Sequence, residues 1–452
     1  MDSSIVALLA LALFLPAGVS IFARLPRAQA AAAVVLGGSL FLPERVAWDF
    51  PLIPPLDKEY ATYLACLAGA YLYRRPSIAA ARPGRGPEVL LLFMFLANVA
   101  TALTNGEPMW DEGKLEPGRG VWAVVAQTGD DLLGIALPCF LGRALFTRRE
   151  DLRTLSIFLA LGGLAYTILI LVEVGMSLPF RVFQLSDWIY GVPMRPQWRW
   201  GVIQPIVFMD NALAVATLMA GSLIAATALV RSRRAPFGSR PVLLRSFVWG
   251  GLLMTLNVAG NVYGAVLALA TMIVRPRVLA GVGLSLVVLA VTYPAASMLN
   301  LFPDEVLVEF ASGFDAERAR SLEGRFLEEE HVLGSIGDRT WFGWGTYERI
   351  PGAETFGTGE VGLDSWWIIR LGTNGIVGVE LHYAFLAWPV VSAWRRIRRF
   401  GRGDATLLAS LMAIVGMRAI DLLINGSWNY LPFFLAGSLY GLAHSPSRAV
   451  DG

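Results

Sequence analysis

Long apolar segments separated by short polar loops recur along the whole chain. A helix needs roughly 20 mostly apolar residues to cross the hydrocarbon core of a bilayer. On this criterion the pattern predicts about thirteen spans, with an error of about one either way. They cover residues 4–22, 28–43, 58–73, 87–104, 121–146, 152–175, 202–230, 243–258, 260–274, 278–298, 366–394, 405–424 and 429–444. The stretch 243–274 is either a hairpin or one broken helix. The sequence therefore predicts an all-α polytopic membrane protein with about 12–13 transmembrane helices.

Arginines alternate with the predicted spans. They follow every second span, for example in "RRIRRFGR", 395–402. Because short basic loops stay in the cytoplasm, the intervening segments are expected outside. The sequence predicts three parts, which are a transmembrane bundle (1–298), a large outer loop (299–365) and C-terminal transmembrane helices (366–452).

The predicted outer segments contain arginines that have two interpretations. Residues 315–336 are predicted to be helical, and Arg318 and Arg325 lie on one face because they are seven residues apart. Arg199 is flanked by Trp198 and Trp200 at the start of another span. These guanidinium groups either bind an anionic substrate or are surface and membrane-interface groups.

Aromatic and acidic residues precede the eleventh predicted span. Trp341 and Trp344 of "WFGWG", with Tyr347, are either membrane-interface anchors or surfaces on which sugars stack. Asp364 comes just before "SWWIIRLGTNGIVGV" and is either an N-cap or a reactive carboxylate.

Composition supports the membrane class and narrows the chemistry. The chain is 55% hydrophobic and 16% charged, and its mean hydropathy is +0.56. The net charge of +2 does not indicate a nucleic-acid binder. Cys66 and Cys139 fall in apolar segments and predict no disulfide framework. No HExxH, CxxC or P-loop motif occurs, so no cofactor and no metal site are predicted.

Three segments resemble motifs of the O-antigen polymerase and ligase superfamily of bacterial envelope proteins. "SLEGR" followed by "FGWG" is similar to the family's arginine-bearing helix and glycine-containing turn. "DSWWIIRLGTNGIVGV" is similar to its H-N-x-x-L-x-x-L-x-E-x-G-x-x-G motif, with Gly375 and Gly378 in register. "RWGVIQPIVFMDNALA" resembles its entry into a central span. The matches lie mainly in 199–220 and 318–380.

The chain also departs from the family pattern. Asp364 stands where the family has histidine, Ser365 where it has asparagine, and Thr373 where it has an acidic residue. The nearest counterpart of its S-R-G stretch is "GNVYGA", 260–265. Ligases of the family depend on that histidine, whereas an aspartate there resembles exopolysaccharide-type polymerases. The resemblance therefore favours a polymerase.

The resemblance implies a GT-C-like architecture and a metal-independent glycosyltransferase of the bacterial inner membrane. Its donor would be an oligosaccharide on undecaprenyl diphosphate, presented at the periplasmic face. Arg199, Arg318 and Arg325 would bind the diphosphate, and Arg325 and Asp364 would be catalytic, Asp364 by accepting the acceptor's proton or orienting its sugar. Trp341, Trp344 and Tyr347 would contact the glycan.

The expected partners are the lipid-linked oligosaccharide, the bilayer and a chain-length regulator or export proteins. Two alternatives remain open, which are a ligase acting on lipid A-core or another acceptor and a flippase for a lipid-linked sugar.

Overall fold

The protein is almost entirely helical in the computed structural model, which describes residues 4–49, 55–111, 113–233, 241–313, 316–353, 363, 365–426 and 429–445. The helices are α1 (Ile5–Arg24), α2 (Arg27–Phe41), α3 (Lys58–Ala81), α4 (Leu90–Thr104), α5 (Val121–Asp130), α6 (Leu137–Leu145), α7 (Arg149–Phe180), α8 (Leu185–Tyr190), α9 (Ala212–Arg231), α10 (Pro241–Met254), α11 (Val258–Ile273), α12 (Pro276–Met298), α13 (Asp304–Ser312), α14 (Ala316–Ile336), α15 (Trp366–Arg396), α16 (Arg402–Ile424) and α17 (Leu431–Ala443). Two small antiparallel hairpins pair β1 (Met109–Asp111) with β2 (Lys114–Glu116) and β3 (Trp198–Arg199) with β4 (Val202–Ile203).

Many of these helices suit a bilayer. Within the described ranges, 8 helical segments are long and apolar enough to cross a membrane. They are Ile5–Arg24, Pro87–Thr104, Val121–Leu145, Arg149–Phe180, Ala212–Arg231, Pro276–Met298, Trp366–Arg399 and Arg402–Ile424. Four more apolar helices are shorter, namely Arg27–Phe41, Val242–Met254, Val258–Ile273 and Leu431–Ala443. The prediction of an all-α, multi-pass membrane protein is confirmed, and the count of 12–13 crossings stays a prediction.

Some helix boundaries differ from the predicted ones. Helix α9 begins at Ala212 and not near residue 202, because Asn211 caps it by accepting the Ala214 amide at 2.9 Å. The residues before it form the β3–β4 hairpin. The stretch 243–274 is two helices, α10 and α11, and Asn257 caps the second. The helix predicted over 315–336 is confirmed as α14.

Successive loops along the chain lie alternately at one end of the bundle and at the other. At the end we call the basic end, Arg27 pairs with Asp151 at 3.0 Å, and Arg149 donates to the Arg399 carbonyl at 2.9 Å. At the other end, the distal end, Arg349 donates to the Pro117 carbonyl at 2.8 Å. This grouping is what an alternating series of crossings requires. The assignment of the basic end to the cytoplasm rests on arginine content alone.

Helices α9 and α16 form the centre of the bundle. In each, 89% of the most apolar segment is buried inside the protein. Helix α16 packs on α12 and on α9, and α15 packs on α12, α16 and α17. Polar side chains on these inner helices are therefore shielded from lipid, which is where a functional site in a membrane protein is expected.

Candidate substrate site at the distal end

Helix α15 is interrupted at Gly375, where φ is +66° and ψ is −177°. The gap is filled by residues 340–345, which we call the docking loop. Four backbone hydrogen bonds join the two: Trp344 N–H to Gly372 O at 2.7 Å, Gly345 N–H to Thr373 O at 2.8 Å, Ile376 N–H to Thr340 O at 2.9 Å and Val377 N–H to Trp341 O at 3.3 Å. Because polar backbone groups are costly to leave unpaired in a bilayer, the docking loop stabilises the break.

The approach of the two backbones requires glycine. A Cβ atom on Gly375 would lie 2.3 Å from the Trp341 carbonyl carbon and from the Phe342 nitrogen. A Cβ on Gly343 would lie 2.4 Å from the Thr373 carbonyl carbon. Both distances are too short for any larger residue. The motif glycines that carried the family resemblance thus hold the outer segment in the bundle, a role that the sequence did not reveal.

The docking loop is also attached to neighbouring elements. Thr101 and Asn105, at the end of α4, donate to the carbonyls of Phe342 and Gly343 at 2.7 and 2.9 Å. Buried Arg349 donates to the Trp344 carbonyl at 3.2 Å and to backbone carbonyls of the segment between α4 and α5. The loop is therefore fixed on several sides.

The three predicted aromatic residues lie in different surroundings. Trp341 has 64% of its surface exposed, since the loop docks through its backbone. Trp344 is half-buried, with the Arg339 guanidinium 5.4 Å from its ring centre. Tyr347 is half-buried against the main core. Trp341 is the one most accessible to a glycan or a lipid headgroup.

A charged group lies inside the bundle near the distal end. Arg418 of α16 is 5% exposed and pairs with Asp421, which is 0% exposed. Arg418 Nη1 also donates to Thr217 Oγ1 of α9 at 3.0 Å, and Asn425 Nδ2 donates to Asp421 Oδ1 at 2.7 Å. Both side chains therefore face the interior of the bundle.

Arg325 joins this group from outside the spans. It is half-buried on α14 and lies close enough to Asp421 and to Tyr263 of α11 for electrostatic interaction with both. We call Arg325, Arg418, Asp421 and Tyr263 the arginine site. Because it contains two guanidinium groups and one carboxylate, the arginine site carries a net positive charge and suits an anionic ligand.

Glu329 anchors to α12 the face of α14 that carries Arg325. The two residues are four apart on α14 and therefore on the same face. The Glu329 carboxylate is 8% exposed and accepts hydrogen bonds from the hydroxyls of Tyr293, at 3.0 Å, and Ser297, both on α12. Burial raises the pKa of Glu329 above its ordinary value, and the hydroxyl donors partly offset this shift.

A second buried polar group lies between α4, α5 and α15. Asp131 is 2% exposed and begins a π-helical turn, a feature frequent at functional sites. Its carboxylate accepts from Asn98 Nδ2 at 2.8 Å and lies 3.6 Å from His382 Nε2. Arg370 interacts electrostatically with Asp131 and Asp130. This group ties the region of α15 around the gap to its neighbours.

The structure brings together only part of the predicted site. Arg325 lies in the arginine site. Arg199 is half-buried in the β3–β4 hairpin, with its guanidinium 5.9 Å from the Trp200 ring. That hairpin adjoins the α10–α11 turn, because Gln204 Nε2 donates to the Thr255 carbonyl at 3.1 Å. The Arg318 side chain and Asp364 lie outside the described residues, so their roles stay predictions.

No protein-family model matches the chain, and no curated protein matches it. Across the described ranges, no group of three or more His, Cys, Asp or Glu side chains is placed to hold a metal ion. The arrangement of these residues supports binding of an anion at the boundary between the bundle and the outer segment.

Proposed function

We propose that the chain is a polysaccharide polymerase, which transfers a glycan from undecaprenyl diphosphate to a hydroxyl of another lipid-linked repeat. The observation that carries this proposal is the position of Arg325, which lies on the polar helix α14 and interacts electrostatically with Asp421 of the buried Arg418–Asp421 pair. A lipid diphosphate has its charge at this boundary and its hydrocarbon chain in the bilayer. The positive arginine site fits the first part, and the apolar bundle fits the second.

The reaction needs stabilisation of a leaving group. The acceptor hydroxyl oxygen bonds to the anomeric carbon, the bond from that carbon to the diphosphate oxygen breaks, and the lipid diphosphate leaves with the electron pair. Guanidinium groups stabilise this developing charge through charge-assisted hydrogen bonds. Arg325 acts here, with Arg199 and Arg318 as the further diphosphate ligands expected from the resemblance. Asp364 orients the acceptor sugar or accepts its proton.

Aromatic residues of the outer segment are proposed to hold the glycan outside the membrane. Exposed Trp341 offers a ring to a sugar face, and Trp344 and Tyr347 are the further glycan contacts expected from the resemblance. The proposed location is the bacterial inner membrane with 299–365 in the periplasm, and the proposed partners are chain-length or export proteins. A ligase would use the same donor site with a lipid A-core acceptor, and the aspartate at 364 favours the polymerase.

A flippase for the lipid-linked sugar is the second candidate. Broken membrane helices are common at the substrate sites of transporters, and α15 is broken at Gly375. In this chain the docking loop fills the break from one end of the bundle, which supports a site that opens to one leaflet. An enzyme acting on one face of the membrane requires such a site.

The experiment is chain lengthening in vitro. Purified protein in liposomes is incubated with lipid-linked repeats extracted from the cells that make this protein, and products are separated on a gel. We expect a ladder of longer glycans with the wild type and with Arg320→Ala, which removes an exposed arginine of the same helix. Arg325→Ala should give no ladder. Transbilayer movement of the repeats without any lengthening by the wild type would replace the polymerase proposal with the flippase.

A further inference from the structure

A largely apolar cavity with several charged residues in its lining lies next to the arginine site, between α3, α9, α16 and the segment before α17. Its lining includes Lys58, Glu59, Asp210, Arg418 and Asn429. The cavity volume is about 60 Å³, and one water needs at least about 10–15 Å³, so several hydroxyl-sized groups fit. The Asp210 carboxylate is 42% exposed, so the cavity reaches the surface there.

The charged groups that line the cavity have partners. Lys58 Nζ donates hydrogen bonds to the Glu44 carboxylate at 2.9 Å and to the Phe208 carbonyl at 2.8 Å. Asp210 pairs with Arg45 at 2.7 Å. Arg418 is held by Asp421 and Thr217, as described above. These charged groups are therefore paired within the protein, and their contacts do not call for a bound ion.

Two acceptor atoms differ from these groups. Glu59 Oε2 and Asn429 Oδ1 are shielded from solvent, and neither accepts a hydrogen bond from any described residue. The Tyr430 backbone amide reaches the Glu59 carboxylate, which fixes its orientation. Buried acceptors without donors are rare in folded proteins, since each has lost its hydrogen bonds to water without replacement. Both atoms belong to cavity-lining residues, and a molecule rich in hydroxyl groups supplies the missing donors.

We propose that this cavity binds the hydroxyl-bearing edge of a sugar residue of the acceptor chain and that Glu59 accepts the proton of the attacking hydroxyl. The inference rests on the proposed transferase function and deepens it. Arg418 lines the cavity and also belongs to the arginine site. The donor diphosphate and the acceptor hydroxyl therefore meet at Arg418.

The transfer step then balances. The acceptor oxygen bonds to the anomeric carbon, its proton passes to Glu59 Oε2, and the bond to the diphosphate breaks with the electron pair on the leaving lipid. Asn429 Oδ1 accepts a hydrogen bond from a second hydroxyl of the same sugar and so orients it. Asp364 keeps the orienting role.

The test is protection of Glu59 from dicyclohexylcarbodiimide, which modifies carboxyl groups in apolar surroundings. Labelling at Glu59 is measured by peptide mass spectrometry with undecaprenyl diphosphate alone and with the same lipid bearing the repeat. At ten times the dissociation constant, the repeat-bearing lipid should lower Glu59 labelling about tenfold, because about a tenth of the sites stay empty. The sugar-free lipid should not protect it. Labelling of half-buried Glu380 on α15, which does not line the cavity, serves as the control.

Turnover is measured beside protection. Glu59→Gln should abolish lengthening while binding undecaprenyl diphosphate as the wild type does, and Glu59→Asp should recover part of the rate. Equal protection by both lipids, or by neither, overturns the cavity proposal whether or not the wild type lengthens chains. Full lengthening by Glu59→Gln overturns the proton-acceptor role and leaves the transferase in place. Failure of the wild type to lengthen any repeat, with sugar-dependent protection intact, overturns the transferase and retains the sugar site.

Discussion

Replacing Gly375 with alanine should release the docking loop from the gap in α15. The backbone at Gly375 has φ +66° and ψ −177°, a region that is essentially restricted to glycine. The added Cβ would lie 2.3 Å from backbone atoms of Trp341 and Phe342, which are not free to move as a flexible side chain is. The docking loop must therefore shift, or the helix must.

The structure sets the size of the effect. The backbone conformation alone costs about 1–3 kcal/mol for a non-glycine residue. Loss of the four hydrogen bonds across the gap would cost about 2–6 kcal/mol, at about 0.5–1.5 kcal/mol for each bond. The backbone cost alone, about 1–3 kcal/mol, makes local opening easier and so raises the rate of hydrogen exchange by about fivefold to 150-fold.

Hydrogen exchange read by mass spectrometry measures this directly. Peptides that contain the docking loop and residues 376–377 should exchange faster in Gly375→Ala, and glycan lengthening should fall with them. Gly324→Ala is the matched control, since a Cβ there meets nothing within 4 Å and α14 gains a better helix former. Wild-type protection of both peptides in Gly375→Ala would refute the role given to the docking loop.

Three further outcomes are expected. Arg418→Ala should lower the free energy of unfolding in detergent by about 3–5 kcal/mol, because it leaves Asp421 charged and buried. Adding Asp421→Leu should recover much of the loss. An unchanged melting temperature in the single variant would contradict this prediction. Arg349→Ala should raise hydrogen exchange in the segment between α4 and α5, because Arg349 donates to the carbonyls of Glu107 and Pro117 there. Arg349→Lys should not restore protection, since lysine lacks the planar fork. Full rescue by lysine would contradict the assignment. Because burial raises the pKa of Glu329 in the folded protein, its contribution to stability is complete below the ordinary value of 4.5 and is lost as pH rises through the folded-state pKa. Glu329→Gln should flatten that pH dependence in thermal melts, and an equal slope in both proteins would exclude Glu329 as its source.

Helix positions followed from the sequence because the signal is local. Apolar length defines a span wherever it occurs, and α14 was predicted from its own residues. The predicted start of α9 is too early, since apolar residues of 202–208 continue the pattern while Val202 and Ile203 pair with the preceding strand as a hairpin. Hydrophobicity does not report that pairing.

Less of the candidate site than of the fold could be predicted from the sequence. A motif pointed to Arg325, but its approach to Asp421 of α16 depends on the position of α14, which bonds to α12 through Glu329. The break at Gly375 depends on a loop some thirty residues earlier in the chain, which no local pattern reveals. Lys58 and Glu59 were missed, although a usable signal existed. They are adjacent charged residues at the start of a predicted span, and Lys58 is one of the chain's two lysines. Charged residues at such positions are costly and often functional.

The most direct test of the central claim is the affinity of the purified protein for undecaprenyl diphosphate. A charge-assisted hydrogen bond contributes about 1.5–3 kcal/mol, so Arg325→Ala should weaken binding by about tenfold to 150-fold. Arg320→Ala should bind as the wild type does. If Arg325→Ala binds the lipid diphosphate with wild-type affinity, the arginine site does not hold the donor and the account is contradicted.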